Sequence, residues 1–230
     1  MLWQRGPARR VSVRTFRPRW AVDAGGERGG DTDGVLAQQY CLRYGCDVLA
    51  DTHRRRLIEV AFDQYGYVTT AGAAAVGVPA VELRKIAQRG GVEHVAYGLY
   101  RFDDVPHTGL DQYMEAVLRV GPEAHLTGDA VLAMLDLTPI NPPLIRVGTP
   151  HRARPQLPPF IQVVAERLRP ADLTHYEGIP SATVAAAVRG CRGRVMAERL
   201  VEAATEAARR GLVSRRTLPR LIAEIEETAA

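Results

Sequence analysis

The chain has 230 residues, 46% apolar and 24% charged, with 15 Pro, 21 Gly and a formal net charge of +4; it can bury a core, and its composition excludes collagen-like, low-complexity and wholly disordered readings. No stretch approaches the ~18 uncharged apolar residues of a membrane span, and residues 1–20 carry six Arg without the apolar segment of a secretory signal, so a cytoplasmic protein with no membrane partner is expected. Cys41, Cys46 and Cys191 make no CxxC pair, which points to reduced thiols rather than a disulfide framework or a zinc cage.

Residues 1–50 read as an extension: the basic arm, then Gly25, Gly26, Gly29, Gly30 and Gly34 among Asp23, Glu27, Asp31 and Asp33, a composition poor in buriable surface. Asp31-Thr32-Asp33 echoes paired metal-holding carboxylates, but no strand or further ligand surrounds it, and it is assigned to the tail. Val35 to Leu49 permits a helix leading into the first domain.

From Asp51 the pattern becomes regular. Asp51 or Thr52 can cap a helix with an apolar stripe of Leu57, Ile58, Ala61 and Phe62, ended by Gly66. Tyr67-Val68 forms a short extended link. Thr69 or Thr70 caps a second helix over Ala71 to Val76, stopped by Gly77, and Pro79 opens a third running to about Arg89. In that third helix Ala80, Leu83, Ile86 and Ala87 face inward, leaving Glu82, Arg84, Lys85, Gln88 and Arg89 outward. Val92 to Val95 and Leu99 to Phe102, joined by Ala96-Tyr97-Gly98, then read as a β-hairpin.

Three helices and a hairpin describe a winged helix over 51–105, a shape that can place a helix in a DNA major groove and a wing on the adjacent backbone. A module for protein contacts is the competing reading. The clustering of Arg84, Lys85 and Arg89 on one face favours DNA, whereas the overall pI ≈ 9.2 decides little, because an Arg excess over the single Lys85 reads as compositional bias.

Residues 106–230 form a second unit. Gly109 to Val120 is an amphipathic helix with Tyr113, Val117 and Val120 inward, followed by a short run at Ala124 to Leu126 and a helix over Ala130 to Leu135 capped by Asp129. Leu144 to Thr149 and Phe160 to Ala165 read as strands flanking the loop His151-Arg152-Ala153-Arg154-Pro155. Two amphipathic helices close the chain, over Arg194 to Arg210 and after Ser214. The joint Asp103-Asp104-Val105-Pro106 is short and polar, so few contacts need cross it and the halves are expected to act separately.

No P-loop, HExxH, GxSxG or Cys-based signature is present, so no catalytic residue, metal or cofactor is assigned; these absences address local motifs only.

The run Tyr65-Gly66-Tyr67-Val68-Thr69-Thr70-Ala71-Gly72-Ala73, then Gly77-Val78-Pro79-Ala80-Val81-Glu82-Leu83-Arg84-Lys85-Ile86-Ala87, Gly90, and Val95-Ala96-Tyr97-Gly98-Leu99-Tyr100-Arg101-Phe102 resembles the N-terminal winged helix of the abortive-infection AbiEi-type antitoxins. Ala124-His125-Leu126 before Asp129, Ile145-Arg146-Val147-Gly148-Thr149-Pro150 and Gly178-Ile179-Pro180-Ser181-Ala182-Thr183 resemble that family's C-terminal domain more loosely.

The resemblance implies an α+β protein: an N-terminal winged helix-turn-helix followed by an α/β C-terminal antitoxin domain that ends in two helices. It implies a repressor of its own operon that antagonises a nucleotidyltransferase-like toxin encoded nearby, with operator DNA read by Arg84, Lys85, Gln88 and Arg89, and with Thr69, Thr70, Tyr97 and Arg101 near the DNA backbone. Tyr97 stands where relatives often carry a basic residue, and Glu93 adds a negative charge, so a weaker wing contribution is expected. Arg152 and Arg154 are candidate partner contacts, and repeated operators with self-association on DNA are expected because one head covers few base pairs. The alternative is an enzyme, an atypical phosphotransferase or other modifier, that inactivates the toxin covalently.

Overall fold

The computed structural model describes residues 47–151 and 157–229. The basic arm, the Asp31-Thr32-Asp33 pair, most of the helix expected before Leu49, and Arg152 and Arg154 lie outside the described residues. The protein is α+β, with two sheets. Among the described residues no helix is long and apolar enough to cross a membrane.

Helix α1, Asp47–Asp63, starts before the expected cap because nothing between Asp47 and Asp51 breaks a helix. It buries Leu57 and Ala61 completely, but Phe62, expected inward, is 60% exposed. At 100° per residue Phe62 lies well round the helix from the seam that Leu57 and Ala61 share. The turn after α1 is closed by Gly66, whose N–H donates to the Ala61 carbonyl at 2.7 Å with φ at +90°, a left-handed geometry that suits glycine.

The stretch expected to be a link is a strand. β1, Tyr67–Thr69, pairs antiparallel with β3, Leu99–Phe102, which pairs in turn with β2, Val92–Ala96. The order β1-β3-β2 makes β3 central and buries all four of its residues, which three residues of sequence at Tyr67–Thr69 could not announce. Between β1 and the hairpin lie α2, Thr70–Ala75, and α3, Ala80–Gln88. Leu83 and Ile86 of α3 are buried against Leu57, Val68, Ala73 and Phe102; Ala80, expected inward, is exposed.

Helix α4, Asp111–Val120, leads into a five-stranded sheet ordered β6-β5-β4-β8-β7: β4, His125–Leu126; β5, Ile145–Thr149; β6, Ile161–Ala165; β7, Leu173–Tyr176; and β8, Ile179–Ala182. The sheet is mixed, with β5–β6 and β4–β8 parallel and the other pairs antiparallel. Helices α5 (Asp129–Met134), α6 (Val184–Cys191), α7 (Ala197–Arg209) and α8 (Leu218–Ala229) accompany it. β7, β8 and α6 fall in a stretch to which no element is assigned above.

The joint after β3 is far from sparse. Tyr67 and Leu99 belong to the same apolar cluster as Met114, Val117, Leu126 and Val147. Polar bonds cross as well: Tyr67 Oη donates to Glu115 at 2.8 Å, Arg119 Nη2 to the Val95 carbonyl at 3.1 Å, and Tyr65 Oη to the Glu177 carbonyl at 2.6 Å. The expectation that few contacts cross is therefore corrected: α4 packs against the small sheet as well as the large one.

Candidate nucleic-acid interface

The outward face of α3 is set by its buried seam. Leu83 and Ile86 point into the small core, so the helical period turns Val81, Arg84, Lys85 and Gln88 away from it, and all four are exposed. Arg89, just past the last turn, is exposed too. Between α3 and the β2–β3 hairpin runs a groove of ≈ 530 Å³, with Arg84 and Gln88 on the helix side and His94 and Tyr97 on the hairpin side. The Tyr97 side chain stands 86% exposed at the hairpin tip, where Gly98 turns the chain with φ at +70°.

The candidate residues differ in what they can offer. Lys85 donates to Glu82 at 2.9 Å, which holds the Glu82 carboxyl below its usual range and offsets the lysine charge locally. Thr69 caps α2 by accepting from the Gly72 N–H at 2.9 Å. Thr70 is half-buried and its N–H donates to the Gly98 carbonyl at 2.9 Å, tying the start of α2 to the hairpin turn.

Arg101, expected beside the DNA backbone, is 5% exposed. Its guanidinium donates to the Val105 carbonyl at 3.1 Å and to Asp111 at 3.3 Å. The correction follows from sheet topology, because a residue on the central strand with a covering helix on that face has no route to solvent. The missed signal was Asp111, ten residues on, a carboxylate at the start of an amphipathic helix.

A second cavity lies at one end of the five-stranded sheet. Its volume is ≈ 660 Å³, and three histidines, His125, His151 and His175, line it with Glu123, Glu166 and Arg167. His125 is 3% exposed; its Nε2 lies 3.0 Å from Glu166 Oε1 and its Nδ1 lies 3.3 Å from the Glu123 carbonyl. Both ring nitrogens thus face acceptors. Hydrogen bonding from His125, against the opposing effect of burial, holds the Glu166 carboxyl below the usual range, and Thr127 adds to it. Burial pushes the Cys191 thiol up to about 12, which keeps it protonated and unreactive. Among the described residues no three His, Cys, Asp or Glu side chains come together as a metal site.

No protein-family model and no curated protein matches this chain. Among solved structures it is similar to the RV2827C protein from Mycobacterium tuberculosis, with 16% identity and a TM-score of 0.43 over 77% of this chain and 75% of that one. A likeness that loose bears on nothing beyond itself.

Proposed function

We propose that the protein is a DNA-binding transcriptional regulator in which residues 51–105 form a winged helix-turn-helix, with α3 as the reading helix and the β2–β3 hairpin as the wing. One observation carries this reading: exposed Arg84 and Gln88 stand across a groove from an exposed hairpin tip, with Arg89 exposed just past the end of the same helix. A helix is narrow enough for the major groove, where Arg suits guanine and Gln suits adenine, and a hairpin beside it can reach the phosphates.

With the motif resemblance, the finer reading is an AbiEi-type antitoxin that represses its own operon, while 106–230, an α/β domain ending in two helices, antagonises a nucleotidyltransferase-like toxin encoded nearby. A shift assay on duplex DNA from upstream of the gene tests the first half. Binding should weaken steeply with salt, and Arg84→Ala and Arg89→Ala should each cost about 1–3 kcal/mol if they touch base edges. Wild-type affinity in both variants would remove α3 as the reader. Footprinting should show repeated half-sites, and a single short protected site would argue against paired heads.

The enzyme alternative draws on the histidine-lined cavity. There the most buried imidazole, His125, is held between Glu166 Oε1 at 3.0 Å and the Glu123 carbonyl at 3.3 Å, and no nucleophile lies within hydrogen-bond reach of it in those contacts. Incubating the protein with ATP and the toxin, then weighing the toxin by mass spectrometry, separates the two: an added mass favours modification, an unchanged mass favours antagonism without chemistry.

A further inference from the structure

The reading face of α3 is not uniformly polar. The buried seam through Leu83 and Ile86 places its opposite direction, at 100° per residue, on Val81 and Gln88, with Arg84 and Lys85 on either side. Val81 is 58% exposed, so the centre of the face is an aliphatic side chain in the first turn of the helix. Val is a poor helix former, stiff at χ1 and without polar atoms for a phosphate. Next to it the Lys85 charge is tied to Glu82 at 2.9 Å, which leaves Arg84 as the cation beside Val81 whose charge no such pair offsets among the described residues.

The N-terminal turns of a reading helix are the part that meets base edges. The one apolar group that a B-DNA major groove presents is the thymine 5-methyl. We propose that Val81 is a specificity-determining residue whose methyl groups pack on the 5-methyl of a thymine, adjacent to the base that Arg84 reads. The proposal rests on the DNA-binding reading of α3 and adds to it a base preference that the charged residues cannot supply. Its stiffness becomes useful in this role, because a β-branched side chain with few rotamers loses little entropy on contact.

The test begins with selection of duplexes from a random pool by the full chain. Each thymine of the best site is then replaced in turn by deoxyuridine, which removes only the methyl group. One replacement should weaken wild-type binding about fourfold, the ratio equivalent to ~0.8 kcal/mol for one methyl-sized group. Val81→Ala should lose the same factor on the thymine site and show almost no further loss on the deoxyuridine site. Because Val81 is exposed and Ala is the better helix former, the variant should fold as the wild type does.

Full affinity of Val81→Ala for the thymine site, or an undiminished deoxyuridine penalty in that variant, overturns the proposal. If Arg84→Ala still abolishes selection in that case, the DNA-binding reading survives alone. Failure of the wild-type chain to select any duplex overturns both. A shift of the free protein from dimer to monomer on Val81→Ala, measured by sedimentation, would make the residue a self-association contact and would also overturn the proposal.

Discussion

Gly148 shows how much one absent side chain can decide. A Cβ at that position would lie 2.5 Å from His125 Nε2 and 2.7 Å from Glu166 Oε1, both closer than real Cβ atoms come. Gly148 opposes His125 in the β4–β5 pairing, so the imidazole lies over bare backbone and reaches Glu166 across it. Gly148→Ala should therefore destabilise the protein by about 1–3 kcal/mol through forced displacement of that pair, read from urea unfolding; a neutral result would show that the pair moves freely. Glu166→Gln keeps the shape and removes the charge, and should cost about 1.5–3 kcal/mol, the range for a hydrogen bond to a charged group. Its pH dependence has a definite sign. The folded Glu166 carboxyl binds a proton less readily than an unfolded one, so its stabilisation is present above ~4.3, the unperturbed value, and is lost as pH falls through the lower folded value. In a plot of melting temperature against pH, the acid limb of Glu166→Gln should be flatter than wild type; an identical limb would exclude Glu166 as a source of acid sensitivity.

Among the elements, α4 has the largest structural task. Its apolar stripe of Met114, Val117 and Val120 is buried in the larger cluster, while Asp111, Glu115 and Arg119 bond to the small sheet or to the joint that leads from it. Asp111 accepts from Thr108 N–H at 3.0 Å, Thr108 Oγ1 at 2.7 Å, His107 Nδ1 at 2.9 Å and Arg101 Nη2 at 3.3 Å. Burial alone would raise its pKa, but these bonds outweigh it and hold the carboxyl below its usual range. The Arg101–Asp111 pair has side chains only 6% and 9% exposed, so removing one partner strands the other charge out of water. Asp111→Asn should cost about 3–5 kcal/mol and shift unfolding of both sheets together. Chemical denaturation followed by Tyr fluorescence and far-ultraviolet dichroism checks this, and separate transitions by the two probes would show that α4 does not couple them.

At the scale of the whole molecule, the same contacts revise how the two halves should behave when cut apart. An isolated 51–105 chain would expose Tyr67 and Leu99, now 3% and 2% exposed, and leave Arg101 without its carboxylate. It should unfold at markedly lower urea concentration than the full chain, and on the proposed DNA-binding reading its affinity for duplex should be weak for that reason. A fragment as resistant to urea as the intact protein would restore the independence that the polar joint suggested. On the proposed antitoxin reading, 106–230 should carry most of the protection against the proposed partner toxin; co-expression scored by growth measures it, and full protection by 51–105 with none from 106–230 would refute the assignment.

Helices with long apolar stripes were legible along the chain. The α3 seam at Leu83 and Ile86, the stripe of α4 and the two closing helices each repeat at three- and four-residue spacing, and that repeat is a property of neighbouring residues alone. The strands β5 and β6 were legible for a similar reason, as short apolar runs bounded by Pro. Other features depend on partners distant in the chain. β1 is a strand because β3 pairs with it; Arg101 is internal because α4 covers the face it occupies; His125 meets Glu166 41 residues away because Gly148 leaves room between them. Val81 was assigned to neither face in the sequence, although the period places it opposite the seam through Leu83 and Ile86; the structure shows it 58% exposed, whereas Ala80, placed inward on the same helix, is exposed because of how the helix packs. Periodicity thus specifies that a helix has two faces, and tertiary packing decides which face each residue joins, because burial depends on contacts that local spacing does not encode.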